Sequence, residues 1–169
     1  LDGGPCEKGL ESTIIDCSGE SPILLRPGGI SRSDIETALH SAGLHCRLHD
    51  ADAMLDHGQP VAPGQLQSHY APDASVRLDA TSQQGDEELI GFGPVLGAGQ
   101  LSLSLSSSGN MQEAAANLFS MMHQANAVTT GTHRRIAVAP IPKYGVGEAI
   151  NDRLQRAAAP VSYTHLRAH

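Results

Sequence analysis

Residues 110–158 constrain the fold more than any other stretch. Met111, Ala114, Ala115, Leu118, Met121, Met122 and Ala125 recur at the 3.6-residue spacing of one helix face, with Asn110 placed to cap the helix and Glu113 three positions on. Residues 135–141 then form a short, mostly apolar run of the buried-strand type, and residues 145–158 return to helical spacing through Val146, Ile150, Leu154, Ala157 and Ala158. Upstream, residues 76–78 and 88–92 read as strands, and residues 100–106 alternate Leu with Ser, which predicts a half-buried strand. Strand, helix, strand, helix predicts a small α/β layer sandwich with a parallel pair and a right-handed crossover. The methionine stripe reads as core, not as a groove for a partner.

A second region lies ahead of it. Residues 11–16 are a β-branched run and residues 22–25 a second short strand, which Arg26-Pro27-Gly28-Gly29 breaks sharply. A helix follows: Ser31 is its N-cap, Asp34 lies three residues on, Ile35, Ala38 and Leu39 share a face, and Gly43 stops it. Between the two regions, residues 57–75 carry Pro60, Pro63, Pro72, Gly58 and Gly64 with few apolar side chains, the composition of a semi-extended connector.

Composition narrows the function. The 169 residues carry 11 Lys and Arg against 18 Asp and Glu, a net charge of −7 that disfavours a nucleic-acid clamp. Three Tyr, two Phe and no Trp leave little for stacking on single-stranded bases. No run approaches the roughly 18 uninterrupted apolar residues of a membrane span. Cys6, Cys17 and Cys46 are an odd set without tight spacing, which fits a reducing cytoplasm better than a disulfide-stapled secreted fold. The chain opens at Leu1 and its first methionine is Met54, so it reads as a fragment.

Several residues are candidates for chemistry, each with a plainer reading. Arg26 beside two glycines could grip a phosphate or carboxylate with its guanidinium fork, or lie solvated in a turn. Ser12 and Thr13 are adjacent hydroxyls on a strand, so alternation sends at most one into a cleft. His69 and Tyr70, on a proline-braced segment, could form a lid over a ligand or dock the connector onto a domain. His40, His45, Cys46, His49 and His57 match no compact zinc spacing and read as ordinary residues near a helix end. Gly145-Val146-Gly147 could offer backbone amides to an anion, or be a tight strand-to-helix turn.

Together these pieces resemble one family, the long two-domain form of threonylcarbamoyl-AMP synthase, the YrdC-like enzymes of tRNA modification. The resemblance is carried by Leu1-Asp2-Gly3-Gly4-Pro5, Gly9-Leu10-Glu11-Ser12-Thr13-Ile14-Ile15-Asp16, Leu25-Arg26-Pro27-Gly28 and Pro63-Gly64 with His69-Tyr70-Ala71-Pro72. Further on it is carried by Asn117-Leu118-Phe119, residues 136–142 and Ala149-Ile150-Asn151-Asp152-Arg153-Leu154. It implies an α/β protein in three parts: the C-terminal part of a YrdC-like α/β catalytic domain over residues 1–56, an extended linker over 57–75 and a small Rossmann-like α/β accessory domain over 76–160. The tail, 161–169, continues neither pattern and is unassigned.

The resemblance implies condensation of L-threonine with bicarbonate and transfer of the carbamate to the α-phosphate of ATP. The products are threonylcarbamoyl-adenylate, which a separate tRNA-modifying complex consumes, and pyrophosphate. It places Ser12 and Thr13 at the L-threonine substrate, and Arg26, Tyr70 and His69 at ATP, with Mg²⁺ as a helper at the phosphates and no protein metal site. No direct tRNA clamp and no membrane partner are expected. The family's basic phosphate-binding pair and its Ser/Thr-x-Asn motif have no counterpart in these residues, so the piece alone is expected to be inactive. A stand-alone, non-catalytic nucleotide-binding or regulatory α/β module is the alternative.

Overall fold

The computed structural model describes residues 9–51 and 72–159. The chain is α/β, with two three-stranded sheets, one mixed and one parallel.

In the first sheet, β1 (Ile14–Asp16) pairs antiparallel with β2 (Ile23–Arg26). β2 pairs parallel with β3 (His49–Asp50), which makes the order β1-β2-β3. The strand expected over 11–16 pairs only from Ile14 onward: Glu11 and Thr13 bond instead to Gly29 and Ile30 in the turn that follows β2, and Ser12 to the side chain of Arg26. Between β2 and β3, α1 (Arg32–Ser41) starts as expected: Ser31 accepts the amide of Asp34 on its hydroxyl. It ends in a Schellman motif, with Gly43 at φ +80° donating to His40 O and Leu44 donating to Leu39 O, both at 2.9 Å.

The second sheet is wholly parallel, in the order β4-β6-β5, from β4 (Val76–Arg77), β5 (Glu88–Ile90) and β6 (Ile136–Val138). β6 lies in the middle, and all three of its residues are buried, which is why it reads as an unbroken apolar run. It is shorter than the expected 135–141 because pairing ends at Val138 and Pro140 has no amide to donate. α2 (Met111–Thr129) leads from β5 into β6, and α3 (Gly147–Ala158) follows it.

The two helices touch each other and share one face of this sheet, α2 against β5 and β6 and α3 against β4. Ile90, Ile136 and Val138 meet Leu118, Ile150 and Leu154 there, with Met111, Met121 and Met122 packed at the margin, so the methionine stripe is core. Leu89 and Ala137 face the other side, where Ala80, Val95 and Ala98 cover them.

One expected element is absent. Residues 100–106 form no strand among the described residues; Ser104 makes an isolated bridge to Gly91. Leu103 and Leu105 are buried as the alternation requires, but Ser106 is buried too, while Leu101 is 41% exposed. The segment is irregular because Ser102 has φ +49° and Glu88 draws in the amides of Gln100 and Leu101, each at 2.8 Å. Ser106 serves the next helix: it accepts the amide of Asn110 at 2.9 Å and donates to the carboxylate of Glu113, while Asn110 caps the amide of Glu113.

No helix among the described residues is long and apolar enough to cross a membrane. The residues expected to be linker fall largely, and the tail 161–169 wholly, outside the described residues.

Candidate functional site

The first sheet brings Ser12, Thr13 and Arg26 together. Arg26, the last residue of β2, is only 8% exposed and donates from Nε and Nη2 to the carbonyl of Ser12, at 3.2 and 3.0 Å. Its Nη2 also lies 3.3 Å from Ser12 Oγ. The solvated-turn reading of Arg26 is therefore overturned: antiparallel pairing of β1 and β2 carries its guanidinium across onto the opposite strand. Gly28 explains the close approach. A Cβ there would come within 2.5 Å of Ser12 C and Thr13 N, so only glycine lets the turn lie flat on that backbone.

The two hydroxyls have different surroundings. Thr13 Oγ1 donates to Ile30 O at 2.7 Å and accepts from Ile30 N at 3.1 Å, pinning the turn ahead of α1. Ser12 is exposed. Ser12 and Thr13 precede β1, so the strand alternation expected to send at most one of them into a cleft does not apply; their different partners set the two hydroxyls apart.

His69 and Tyr70 lie outside the described residues. Of the histidine group, His57 is outside them as well, and His40 and His45 meet edge to face with ring centroids 5.3 Å apart. Among the described residues no group of three His, Cys, Asp or Glu side chains is placed to hold a metal ion. Gly145-Val146-Gly147 forms the tight turn: the amides of Gly147 and Ala149 donate to Tyr144 O and Val146 O at 3.0 and 3.1 Å, and Glu148 puts a carboxylate in the same helical turn.

Sequence reasoning missed the charges that join α3 to the first sheet. Arg153, 2% exposed, reaches Glu11 Oε2 from Nη2 at 2.8 Å and from Nε at 2.9 Å. In the opposite sense, Arg32 at the start of α1 bonds to Glu148 at 2.8 Å, to Leu48 O at 2.6 Å and to Asp50. The bond to Glu148, ahead of that to Asp50, raises the Arg32 guanidinium further above its ordinary range. Signals for both existed. Arg153 falls at a core-facing register of the 146, 150, 154, 157 stripe, where a charge has to find a partner, and Arg32 is a cation at the wrong end of a helix dipole.

Residues 30–159 match the family described as threonylcarbamoyl-AMP synthase, C-terminal domain. The chain belongs to the threonylcarbamoyl-AMP synthase family. It is 36% identical over 90 residues to the threonylcarbamoyl-AMP synthase of Bacillus subtilis, covering 53% of this chain and 25% of that protein. It is 29% identical over 171 residues to the threonylcarbamoyl-AMP synthase of Pyrococcus abyssi, covering 94% of this chain and 48% of that one. The crystal structure of the P. abyssi Sua5 protein complexed with L-threonine superposes with a TM-score of 0.70 at 27% identity, over 93% of this chain and 48% of that chain. The chain thus spans half or less of the synthases it matches. The family assignment read from the ordered motifs agrees with all three comparisons.

Proposed function

We propose that this chain is part of an ATP-dependent L-threonylcarbamoyl-adenylate synthase acting in tRNA threonylcarbamoyladenosine modification. The observation that carries the reading is the convergence of Ser12, Thr13 and Arg26 on one corner of the first sheet in a chain of this family. A P. abyssi relative of like fold was crystallised with L-threonine, which supports threonine as the substrate held there.

The amino nitrogen of threonine adds to the carbon of bicarbonate and water leaves, giving a carbamate. A carbamate oxygen then attacks the α-phosphorus of ATP, the bond to the β-phosphate oxygen breaks, and pyrophosphate departs. In this reading Ser12 offers its exposed hydroxyl to threonine, and Thr13 holds the Ile30 turn at the site. Arg26 supplies a fixed positive charge for the phosphates, braced by the Ser12 carbonyl so that little is lost in ordering it. His69 and Tyr70 close over the nucleotide and exclude water from the mixed anhydride. Mg²⁺ brought in with the triphosphate would screen the charge of the leaving pyrophosphate.

The finer organisation belongs to the same proposal. Residues 1–56 complete a YrdC-like catalytic domain, 57–75 link it to the rest and 76–160 form a Rossmann-like accessory domain. The free thiols of Cys17 and Cys46 fit a cytoplasmic protein. The product passes to a separate tRNA-modifying complex.

The test is pyrophosphate release by the complete protein, which is expected to require L-threonine and bicarbonate together. Release that ignores either substrate, or none at all, sinks the reading. Arg26→Ala in an active protein is expected to lower kcat/KM for ATP by about a hundredfold, the usual scale for losing a preorganised charge at a phosphoryl centre.

A further inference from the structure

We infer that Arg153 is a positioning residue for the Ser12 and Arg26 site, acting through Glu11. The inference rests on the functional reading above for its kinetic consequence, but its geometry stands apart from it.

Arg153 sits on α3, 142 residues from Glu11 in sequence, and its guanidinium is buried. Burying a cation is costly unless its charge is compensated, and here two carboxylates compensate it. Nε donates to Glu11 Oε2 at 2.9 Å and Nη1 to Asp152 Oδ2 at 2.6 Å, while Nη2 makes a charge contact of 2.8 Å with Glu11 Oε2 without hydrogen-bond geometry. Asp152 is also held by Arg156, through Nε at 3.0 Å and Nη2 at 2.9 Å. Glu11 is therefore a long-range anchor of the Arg153 fork.

Glu11 is fixed a second time through its backbone, since its carbonyl accepts the amide of Gly29 at 3.0 Å. The next carbonyl in the chain, that of Ser12, is the one that receives Arg26. Glu11, Ser12 and Thr13 lie outside the β1–β2 ladder, so ladder register does not place them. Among the described residues, the turn after β2 holds them on one side and Arg153 on the other. Without the ion pair, Ser12 and the Arg26 fork lose the support of α3. A buried ion pair is seldom worth much net stability, and apolar side chains of equal volume often fill such a site as well or better. That separates positioning from core filling in the double variant, where both charges are gone, whereas Arg153→Met alone also leaves the Glu11 carboxylate without its cation.

The experiment uses the complete protein with Arg153→Met, Glu11→Gln and the double variant. In steady-state pyrophosphate release, each single change is expected to raise the KM for threonine about tenfold and to lower kcat/KM for ATP as well, through the displaced Arg26 fork, and the double to be no worse than either single, as for two ends of one interaction. Arg153→Lys, which keeps the charge but not the fork, is expected to recover part of the loss. Threonine KM values within twofold of wild type in well-folded variants, or strictly additive effects, overturn the inference. If Arg153→Met does not fold, Glu11→Gln, a same-shape change at a part-exposed side chain, decides the question alone. Hydrogen exchange at the Ser12 and Thr13 amides tests the geometry without catalysis, and it is expected to speed up about tenfold in Glu11→Gln. Should wild type release no pyrophosphate while exchange responds in this way, the functional reading fails and the positioning stands.

Discussion

At the scale of single residues, Glu87 shows how a buried charge is tolerated in this chain. Its carboxylate is 1% exposed and receives Arg77 through a two-pronged bond, Nε at 3.0 Å and Nη2 at 2.6 Å. Arg135 Nη2 and the amide of Gln84 complete the set, each at 3.0 Å. The network gathers where β5 and β6 begin, whereas open parallel sheets bind ligands beyond their carboxyl ends, so its role is to hold strands. The Arg77 hydrogen bonds, aided by Gln84 and the charge of Arg135, hold the Glu87 carboxyl below the usual glutamate range although burial pushes the other way. A folded-state value below the unfolded one means the pairing stabilises above the unfolded value of about 4.3 and is lost as pH falls through the lowered folded value. Glu87→Gln is accordingly expected to cost roughly 2 kcal/mol in urea unfolding at neutral pH, the scale of hydrogen bonds to a charged group. The gap between variant and wild type should narrow below about pH 4. A gap that does not change with pH would assign the loss to packing instead of charge.

At the scale of elements, two glycines that look alike in sequence do different work. Gly43 has φ +80° and nothing within 4 Å of where a Cβ would stand, so Gly43→Ala meets only the left-handed backbone penalty, about 1 kcal/mol. Gly28 has ordinary φ but no room, since its Cβ would press on the backbone of Ser12 and Thr13. Thermal unfolding should therefore show Gly28→Ala to be the more damaging change, and in the complete enzyme it should raise the threonine KM while Gly43→Ala leaves it unchanged. Similar losses at both positions would mean that the turn after β2 does not set the site. The difference marks what was legible. The cap at Ser31, the stop at Gly43 and the stripe from Met111 to Ala125 are local patterns, and each appears where the sequence puts it. The 100–106 alternation misled because the amides of Gln100 and Leu101 go to Glu88, a residue 12 and 13 positions away. Arg26 was readable as a charge beside glycines, but its partner, the Ser12 carbonyl, depends on strand pairing that no local pattern encodes.

At the scale of the whole molecule, stability is unevenly shared. Among the described residues, Leu24 and Leu48 are the buried apolar side chains of the first sheet region, and α1 buries none, whereas the second sheet and its helices enclose a continuous core. Residues 9–50 hold to that core by few ties: Leu10 packs against it, Gly9 lies on the α2 backbone, and the Arg153 and Arg32 pairs fasten α3. The opposed sense of the two pairs, one arginine from each side, resists sliding as well as separation. Opening of the first region should then precede global unfolding, since local opening follows local burial. Dilute protease is expected to cut within residues 9–50 while residues 76–159 persist, with the fragments identified by mass spectrometry. Replacing both Arg32 and Arg153 by Met should speed that first cleavage about tenfold, the response to about 1.4 kcal/mol of lost docking when cleavage samples an equilibrium of open forms. The later cleavage of residues 76–159 should keep its wild-type rate, because neither pair contributes to the core beneath α2. Equal acceleration in both regions would show that the two halves open as one cooperative body and that α3 carries the core as well as the docking.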